Sequence, residues 1–561
     1  MIWQPHGKFN LGVDVENDFK PKYVLNQDKV KVVDNLIKLA EKSTEVYLAT
    51  DPDREGEAIS KHISERLKTT KKKMKRITFN AIDKLAISNA IKNARDINED
   101  LCDAQETRRI LDRIVGFRAS PLLSQALGSN LSAGRVQSVA LRMIVDVENQ
   151  IKNFKPENYW VLHADLKHKD HDQVFKVKYE GELKEEKAAG ALQKEIAGIS
   201  DFYIYSIQKK DEAEKPPPPL TTAKLQQVMA SSHGWSADQS MKIAQSLYEQ
   251  GFVTYIRTDS TRTEEEPLKK LRDWMKKESL SFPKVAYKYD AKTGSQDAHE
   301  CIRPTDVSNT PSKIHLFGLE KELYEVIWKQ FVASQMSPAI WDTVKVVVKD
   351  KKNKHTFKAS GNILKDEGFY KILGRPRDNG LLLPPLSDKD PLEPAKESFV
   401  SLEKKQTTPP SRFNEGTLIK DLEKKGIGRP ATYASILKNI LDRKYVTLEK
   451  KGKTQIYHPT ELGNSICDLL TKSFHFMDYN YTKDMEDFLD KIAEGKTSKL
   501  EVLTKFYDEF EGELLKANKS SNITLCDKCK APMRMLTNKK DGSKFLGCTG
   551  YPNCKNTKSI K

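Results

Sequence analysis

The chain contains 561 residues, which is too long for one hydrophobic core and, at about 150 residues per domain, predicts about three to five domains. Its 95 lysines and arginines outnumber 79 acidic residues and give a formal net charge of +16, which fits a polyanionic partner, although a lysine-rich composition alone would also produce it. The sequence has neither an apolar run of about 18 residues nor an apolar signal core, so we expect no membrane span and no secretory signal.

The first part of the chain is predicted to be an α/β unit. Asp28–Lys42 has the apolar spacing of an amphipathic helix, and Glu45–Thr50 is typical of a buried strand. A second helix is expected to end near Lys68. Asp51 and Asp53 follow the strand directly, at the carboxyl end where the active sites of open α/β sheets gather.

Residues 69–150 are predicted to be helical, interrupted by the basic patch Lys71–Arg76. Within this region the turn LSAGRVQ precedes a helix expected from about Val136 to Asn153. Small residues let a ligand approach the backbone closely, and a helix N-terminus attracts phosphate. The turn is therefore a candidate phosphate-binding element.

The pattern becomes alternating and strand-like within residues 155–212, and the proline-rich linker Glu214–Pro219 is expected to be stiff and extended. A helical unit follows the linker. Thr221 or Thr222 is expected to cap its first helix, which begins near Ala223.

Strand-like sequence patterns return at Thr343–Val348 and Phe369–Ile372, before a proline-rich hinge at Thr407–Pro410. Glu423–Leu437 is predicted to be a short basic turn that leads into a capped helix. The later stretch TQIYHPTELG is similar to the wing of a winged helix, and helices are expected to continue to about Asn518.

The stretch Leu247–Thr261, LYEQGFVTYIRTDST, places a tyrosine beside an arginine. If Thr254–Ile256 is extended, Tyr255 and Arg257 point to the same side, because strand side chains alternate. A tyrosine can form covalent intermediates, and a guanidinium fork fits phosphate oxygens. The pair is therefore a candidate nucleophile and phosphate clamp, with a buried tyrosine beside a surface arginine as the ordinary alternative.

Asp51, Asp53 and Glu55 occupy alternate positions after the predicted strand, which would let their carboxylates converge on one point. Hard oxygen ligands suit Mg²⁺, which takes few protein carboxylates together with phosphate and water. The alternative is a helix cap, because acids favour the first turn of a helix. Three acids are more than one cap needs, which favours a magnesium site.

Of the seven cysteines, four cluster near the C-terminus as Cys526-x2-Cys529 and Cys548-x5-Cys554. Two pairs of thiolates at this spacing predict a closed, structural Zn²⁺ site, with four unrelated thiols as the alternative. The other cysteines are scattered, which argues against a disulfide framework and for a reducing compartment.

His299 lies in the polar sequence DAHECIRP, near Asp297, Glu300 and Arg303. An ordinary hydrogen-bonded histidine is the simplest interpretation, because histidine has many roles. Its charged neighbours favour a functional cluster.

Taken in chain order, these motifs resemble those of type IA DNA topoisomerases, close to bacterial topoisomerase I. The matching segments are GVDVENDFKPKY (12–23), ATDPDREGEAI (49–59), LDRIVGF (111–117), LSAGRVQSVALR (131–142), LYEQGFVTYIRTDST (247–261), AHECIRPT (298–305), GIGRPATYASIL (426–437) and the four-cysteine ribbon. They extend over nearly the whole chain, and Cys301 stands where alanine is expected.

The resemblance implies a catalytic role for several residues. Tyr255 would be the nucleophile that forms a 5′-phosphotyrosyl link with a cut single strand. Arg257 would clamp the scissile phosphate, and Glu249 and Asp259 would be nearby polar supports. His299 would contact DNA at the cleavage site.

The resemblance also implies two metal sites and a groove for single-stranded DNA. Asp51, Asp53 and Glu55 would hold Mg²⁺ in a toprim domain. Zn²⁺ would be bound by Cys526, Cys529, Cys548 and Cys554. The DNA-binding positions would be Arg108, Arg109, Asp112, Phe117, Ser132, Ala133, Gly134, Arg135, Val136, Gln137, Arg257, Asp259 and Thr432.

The implied fold is multidomain, partly α/β and otherwise α-rich. It combines a partial toprim α/β domain, a toroidal core with helical, winged-helix-like domains, a β-rich hinge domain and a C-terminal four-cysteine zinc ribbon. The expected boundaries are 1–68 for the toprim part, 69–153 and 406–520 for the helical DNA-groove domain, 154–219 and 341–405 for the hinge domain, 220–340 for the domain with the tyrosine, and 522–558 for the ribbon.

The implied partner is DNA, single-stranded or negatively supercoiled, which a monomer would relax. Because a tyrosyl ester keeps the energy of the broken phosphodiester, ATP would not be needed, which fits the absence of a GxxxxGK[ST] loop. A cytoplasmic, nucleoid-associated location without a membrane is expected, and a viral or organellar setting stays open.

One departure concerns the start of the chain. In the family, a strand with a glutamate and a lysine precedes the region that matches residues 12–23, whereas this sequence begins with MIWQPHGKFN. That glutamate is the family's presumed general acid for the leaving 3′ oxygen, a role worth about 10²- to 10⁴-fold. We therefore expect this chain to bind DNA but to cleave it poorly.

Two other functions fit parts of the sequence. One is a non-catalytic module that binds single strands, and the other is a different toprim enzyme, such as a primase or nuclease. The tyrosine stretch argues against the second, because primases and nucleases need no covalent tyrosine.

Overall fold

The computed structural model describes residues 2–3, 11–127, 131–170, 172–289, 300–376, 383–452, 454–520, 524, 526–528, 533–538, 541–548, 551 and 554–559. Its helices are α1 (Val30–Glu41), α2 (Arg54–Leu67), α3 (Lys84–Lys92), α4 (Glu99–Ala126), α5 (Arg135–Asn153), α6 (Glu186–Ala197), α7 (Thr222–Ser232), α8 (Ala237–Glu249), α9 (Glu265–Lys277), α10 (Gly318–Ala333), α11 (Tyr370–Leu373), α12 (Glu415–Lys425), α13 (Tyr433–Asp442), α14 (Glu461–Ser473), α15 (Tyr479–Ala493) and α16 (Lys499–Ser520). Its strands are β1 (Ile2–Trp3), β2 (Val13–Asp14), β3 (Lys20–Pro21), β4 (Tyr23–Val24), β5 (Glu45–Leu48), β6 (Lys73–Arg76), β7 (Asn158–His168), β8 (Val174–Tyr179), β9 (Phe202–Glu214), β10 (Ala339–Asp350), β11 (Thr356–Asp366), β12 (Pro391–Pro394), β13 (Val400–Gln406), β14 (Val446–Lys451), β15 (Thr454–Pro459), β16 (Met533–Thr537), β17 (Lys544–Cys548) and β18 (Thr557–Ser559). None of the helices within these ranges combines the length and apolar character that a membrane span requires.

The first unit is built on the parallel pair β5–β6, whose register runs from Glu45↔Lys73 to Leu48↔Arg76. Helix α2 packs against β5, and α1 packs against α2. The helix α1 forms where the apolar spacing predicts it, but Val32 and Leu39 of its predicted apolar face are exposed. β6 lies within the basic patch Lys71–Arg76, where the sequence predicts an interruption of the helical region without predicting a strand. This stretch becomes a strand because its last side chain, Arg76, turns inward and is completely buried beneath the turn that follows β5.

Helices α4 and α5 form the centre of the helical unit. α4 has 28 residues and begins after Asn98, whose side chain accepts a hydrogen bond from the Leu101 amide. Helices α12 to α16 return to the same core, with α15 and α16 packed directly on α4. The wing-like stretch TQIYHPTELG forms β15 of the hairpin β14–β15 and the start of α14. Two distant parts of the chain therefore share one helical core.

Seven strands form an antiparallel sheet in the order β12-β9-β10-β11-β8-β7-β13. β12 pairs with both β9 and β7, which closes the sheet on itself. Helix α6 lies between β8 and β9, in a part of residues 155–212 for which the sequence predicts no helix. The strand prediction for Phe369–Ile372 is also wrong, because the chain turns at Gly368 (φ +48) and continues as α11; a Cβ there would lie 2.2 Å from the carbonyl oxygen of Pro338.

Helices α7 to α10 enclose a second core around the stretch with the tyrosine. Thr221 caps α7 by accepting a hydrogen bond from the Lys224 amide. The neighbouring Thr222 hydroxyl donates to the carbonyl oxygens of Ile256, at 2.7 Å, and Thr258, at 3.0 Å. The start of α7 thus holds the backbone on both sides of Arg257.

The last described residues form the antiparallel sheet β16-β17-β18. The side chain of Gln125, near the end of α4, donates to the Thr524 carbonyl at 3.3 Å and accepts from the Thr524 amide at 3.1 Å. The cysteine-containing segment therefore sits at the C-terminal end of α4.

Candidate active site

The acidic residues lie where β5 turns into α2. Gly56 allows this turn, because a Cβ at its position would lie 2.0 Å from the carbonyl oxygen of Asp51. Asp53 caps α2 by accepting a 2.8 Å hydrogen bond from the Gly56 amide, and Glu55 stands in the first turn. The expected alternation along a strand is therefore wrong: β5 ends at Leu48, and the geometry of a helix cap brings the carboxylates together.

Two of these carboxyl groups, Asp51 and Glu55, have a raised pKa. Burial raises the pKa of Asp51, and the negative charge of Asp53 raises it further. The pKa of Glu55 is raised by the same two causes. A bound cation stabilises carboxylates that repel one another, and a set of hard oxygen donors suits Mg²⁺. The residues of this turn therefore fit the ion that the sequence predicts.

Arg76 holds the turn between β5 and α2 through hydrogen bonds to its backbone. Its Nη1 donates to the carbonyl oxygens of Leu48 at 3.1 Å and Thr50 at 2.7 Å, and its Nη2 donates to that of Asp51 at 2.6 Å. Its Nε pairs with Glu57 at 2.9 Å, and neither side chain is more than 1% exposed. A single buried guanidinium thus holds the backbone that carries the first acidic residue.

Tyr255 lies against the acidic turn and is 3% exposed. Its hydroxyl donates to Asp53 Oδ2 at 2.6 Å and lies 3.5 Å from Asp51 Oδ2. Arg257 Nη1 is 3.3 Å from the same Asp53 oxygen. Burial raises the pKa of Tyr255 well above its usual value, and Asp53 raises it further. The tyrosine and the arginine therefore share one side of the chain and one carboxylate.

The backbone of this stretch contains one isolated bridge and a bend at Ile256, and it belongs to none of the described sheets. The amide of Thr254 donates to the Arg303 carbonyl at 2.9 Å, and the amide of Tyr255 donates to the Asn80 carbonyl at 2.7 Å. A single bridge joins Val253 and Pro304. The β-like spacing predicts the direction of the side chains correctly, while the backbone bonds go to loops of two different units.

The two predicted polar supports occupy different places. Glu249 is the last residue of α8 and is exposed, and its charge contributes to the raised pKa of Asp51 after burial, Asp53 and the opposing Arg257. Asp259 lines a cavity of about 230 Å³ together with Arg429 and Tyr433. Glu249 is thus close enough to the acidic turn for its charge to act on Asp51, whereas Asp259 faces residues of the helical unit.

His299 and Asp297 lie outside the described residues. The neighbouring Glu300 and Arg303 form a buried pair at 2.7 Å, and Glu300 also accepts a 2.7 Å hydrogen bond from the Glu264 amide. Cys301 lies between these two residues in the sequence. Its thiol is buried, and burial raises its pKa to about 12. Within the described part, this cluster anchors the loop that hydrogen-bonds to Thr254.

Two of the arginines predicted to line the groove, Arg108 and Arg135, converge on Glu486. Arg135 Nη2 pairs with Glu486 Oε1 at 2.7 Å, and its Nε lies 3.3 Å from Asp112; the side chains of Arg135 and Glu486 are 0% exposed. Arg108 Nη1 is 3.6 Å from Glu486. Burial opposes ionisation of Glu486, but Arg108, Arg135 and Arg429 together hold its pKa far below the usual value. Arg135 is therefore enclosed by protein in this conformation.

The remaining groove positions differ in accessibility. Phe117 is 43% exposed with the guanidinium of Arg113 4.2 Å above its ring, and Arg109 lies 5.8 Å from the ring centre of Tyr23. Thr432 accepts a 3.0 Å hydrogen bond from the Arg429 amide. In the turn before α5 and the first residues of the helix, Ala133 and Val136 are buried, whereas Ser132, Gly134 and Gln137 are partly exposed. This turn is thus only partly open to a ligand.

A cavity of about 60 Å³ connects the acidic turn to the helical unit, and several of its charged residues escape the sequence-based prediction. Arg54 belongs to the motif DPDRE and Arg429 to the motif GIGRP, but the sequence assigns neither of them a role. Nothing in the sequence indicated Asp490. The charged lining is Asp53, Arg54, Glu55, Arg108, Arg257, Asp259, Arg429 and Asp490.

Three predicted zinc ligands come together in the C-terminal sheet. The sulfur atoms of Cys526, Cys548 and Cys554 all lie within 4.8 Å of one another, with Cys526 and Cys554 3.7 Å apart. Tetrahedral Zn²⁺ with bonds of about 2.3 Å requires sulfur atoms about 3.8 Å apart, so the arrangement fits the ion. Asn556 donates from Nδ2 to the Cys526 sulfur at 3.3 Å. Cys529 lies outside the described residues.

Comparisons with known proteins cover the same regions. A family model described as DNA topoisomerase matches residues 96–504, a Toprim domain model matches 16–82, and a model of the topoisomerase DNA binding C4 zinc finger matches 523–561. DNA topoisomerase 1 of Pseudomonas aeruginosa is 38% identical over 570 residues, and the alignment covers 96% of this chain and 63% of that protein. The structure of full-length topoisomerase I from Thermotoga maritima is similar with a TM-score of 0.80 and 34% identity, covering 100% of this chain and 92% of that one. The chain therefore belongs to the DNA topoisomerase family and carries a Toprim domain and a C-terminal zinc ribbon, as the motifs indicated.

Proposed function

We propose that this chain is a type IA DNA topoisomerase that relaxes negatively supercoiled DNA. It cuts one strand, passes another strand through the gap and rejoins the ends, without ATP. The observation that carries the proposal is the 2.6 Å hydrogen bond from Tyr255 to Asp53, with Arg257 on the same carboxylate. A phenol, an acceptor for its proton and a cation for a phosphate are the groups that transesterification by tyrosine needs.

In the cleavage step, the Tyr255 oxygen attacks a phosphorus atom of the DNA backbone. The new bond is a 5′-phosphotyrosyl ester, and the bond from phosphorus to the 3′ oxygen breaks. The proton of Tyr255 passes to Asp53 Oδ2, its hydrogen-bond acceptor. The leaving 3′ oxygen takes up one proton from solvent, and Asp53 returns its proton to solvent. One phosphodiester replaces another, so that the reverse reaction reseals the strand without an external energy source.

Arg257 and the acidic turn would stabilise the negative charge that develops on the phosphate. The fixed guanidinium of Arg257 offers hydrogen bonds to the negative charge that develops on the phosphate. Asp51, Asp53 and Glu55 would hold Mg²⁺, which neutralises phosphate charge when it is bound. The raised pKa values of Asp51 and Glu55 support a cation there, because each carboxylate lies near another buried negative charge.

The other assignments follow the order of the units. Single-stranded DNA would lie along the helical unit at the predicted groove positions, and the zinc ribbon would add a second DNA contact. Residues 220–340 would move as the unit that carries Tyr255, with the β-rich unit as the hinge. A monomer located with the cellular DNA is sufficient for this reaction.

The test is covalent trapping on a labelled single-stranded oligonucleotide, with adducts resolved under denaturing conditions. The chain should form an adduct, and Tyr255→Phe should form none. Tyr248→Phe is the matched control, because Tyr248 is buried beside Tyr255 with the ring centres 5.3 Å apart, and it should retain the adduct. An adduct in Tyr255→Phe would refute the nucleophile. Tight binding without any adduct in the unmodified chain would favour a binding module.

A further inference from the structure

Two arginines from distant parts of the chain meet on one carboxylate. Asp490 Oδ1 accepts a 2.7 Å hydrogen bond from Arg54 Nη2. Asp490 Oδ2 accepts from Arg429 Nη2 at 2.7 Å and from Arg429 Nε at 3.2 Å. The side chains of Arg54, Arg429 and Asp490 are 8%, 18% and 20% exposed. Charged hydrogen bonds with this little solvent are strong, and losing one partner is costly.

Arg429 and Asp490 both belong to the helical unit and are held there independently. Arg429 Nη1 donates to the carbonyl oxygens of Gly426, at 3.1 Å, and Gly428, at 2.9 Å, within its own turn. Asp490 stands on α15, which packs on α4. The carboxylate and one of its two guanidinium partners are therefore both held within the helical unit.

Arg54 is the partner that comes from the acidic turn. It stands between Asp53 and Glu55 in the sequence, and all three residues line the cavity of about 60 Å³. Its Nη1 is buried and makes no hydrogen bond with any described residue. Asp490 is thus the acceptor that draws this side chain towards the helical unit. Without Asp490, the nearest negative charges to Arg54 in its own segment are those of Asp53 and Glu55.

We infer that Asp490 is a positioning residue of the cleavage site, which anchors Arg54 to the helical unit and so fixes the acidic turn against the DNA groove. It acts through Arg54 and does not touch the reacting atoms. The inference rests on the proposed function for its catalytic consequence, whereas the anchoring itself is a property of the fold. Both can be measured, and they can be measured separately.

The anchoring is tested by hydrogen exchange on the full chain. Asp490→Asn keeps the shape of the side chain but removes its charge. Exchange of the amides in residues 51–57 should become about 10-fold faster, because the turn loses its link to α15. Asp487→Asn is the matched control, since Asp487 lies 3.4 Å from Arg429 Nη2, is 45% exposed and forms its ion pair with Arg429 and not with Arg54. It should leave this exchange unchanged. Unchanged exchange in Asp490→Asn, or an equal change in both variants, would overturn the inference.

The catalytic consequence is tested by the rate of adduct formation per bound complex, at saturating oligonucleotide. Asp490→Asn should lower this rate about 10- to 100-fold, because small errors in placement are costly, while the dissociation constant changes less than about 3-fold. A variant that merely misfolds would lose bound complexes and keep the rate. The effect should disappear in an Arg54→Gln background, because coupled residues are not additive. Equal losses in binding and rate, or full additivity, would overturn the catalytic part. If the unmodified chain forms no adduct, the proposed function fails, and hydrogen exchange alone decides the anchoring.

Discussion

The hydroxyl of Tyr255 and the Oδ2 atom of Asp53 lie 2.6 Å apart, although 202 positions separate the two residues in sequence. The tyrosine belongs to one unit, the aspartate to another. Burial and the charge of Asp53 both raise the pKa of Tyr255, which keeps the phenol protonated at neutral pH. A protonated phenol is a weak nucleophile, so its hydrogen-bond acceptor matters for cleavage.

Asp53→Asn should therefore impair cleavage without unfolding the turn. Asparagine caps helices as well as aspartate does, so the bond from the Gly56 amide is retained. Losing the acceptor charge should lower the rate of adduct formation about 10²- to 10⁴-fold. Binding of single-stranded DNA, measured by fluorescence anisotropy, should be equal or tighter, because a negative charge beside the phosphate is removed. Asp96→Asn, at an exposed ion pair with Lys75, is the control. A rate within about threefold of the parent would contradict this role for Asp53.

Arg76→Met should destabilise the unit that carries the acidic turn. Removing Arg76 takes the buried partner from Glu57 and leaves the carbonyl oxygens of the turn without their donor, which costs about 3–5 kcal/mol. Arg95→Met is the matched control, because Arg95 also pairs with Glu57 but its side chain is 39% exposed, so about 1 kcal/mol or less is expected. Native-state hydrogen exchange of the amides of Glu45–Leu48 gives the local free energy of unfolding. Equal losses in the two variants would show that burial of Arg76 contributes nothing.

Several elements could be predicted from the sequence, because local patterns determine them. The positions of the helix before β5, of the strand itself and of the cap at Thr221 all depend on neighbouring residues. The predicted burial of the strand is wrong, because only Leu48 of β5 is buried. β6 could not be predicted, because the four residues of Lys73–Arg76 form a strand only through pairing with β5 and burial of Arg76. Short apolar or charged runs have no period long enough to separate a helix from a strand.

In the candidate site, too, features set by neighbouring residues could be predicted, whereas contacts between distant residues could not. The side-by-side placement of Tyr255 and Arg257 follows from alternation, and the clustering of the cysteines follows from their spacing. The partners of Arg135 do not, because Glu486 lies 351 positions away and only the folded chain brings them together. A buried arginine that pairs with protein and an exposed arginine that waits for phosphate have the same sequence signature.

Glu415 should make stability depend on pH. It accepts a 2.9 Å hydrogen bond from the Ala237 amide, and burial raises its pKa from 4.5 to about 6, with Asp238 adding to the rise. An acid with a raised pKa binds its proton more tightly in the folded state. Its contribution is therefore full below pH 4.5 and is lost as the pH rises through 6, by at most about 2 kcal/mol.

Glu415→Gln should remove this dependence. The variant should match the parent near pH 4.5 and should exceed it in melting temperature near pH 8, as measured by differential scanning fluorimetry across this range. The comparison at pH 4.5 is the internal control for any loss of packing. A difference that stays constant from pH 4.5 to pH 8 would contradict the raised pKa.

Zinc content should depend on the clustered cysteines and on no others among those described. The sulfur atoms of Cys526, Cys548 and Cys554 are already within the span that one tetrahedral ion requires. We expect about one zinc per chain by elemental analysis and a large loss in Cys548→Ser. Cys467→Ser, at a buried thiol of α14, should keep the metal. Chelation should speed hydrogen exchange in β16 to β18 and leave α4 protected. Equal zinc in both variants would refute the site.

Arg135 provides the sharpest test of whether the predicted groove residues touch DNA. Its side chain is enclosed between Asp112 and Glu486, so Arg135→Gln should cost about 3–5 kcal/mol of stability as the loss of a buried partner. The dependence of DNA affinity on salt should not change, because no phosphate contact is removed. Arg109→Gln is the comparison: its guanidinium is partly exposed near Tyr23, and losing one contact to a single strand should reduce the slope of log K against log salt by about 0.7. Anisotropy titrations at several KCl concentrations measure both slopes. An equal reduction in Arg135→Gln would mean that the side chain leaves Glu486 and reaches the phosphate when DNA binds.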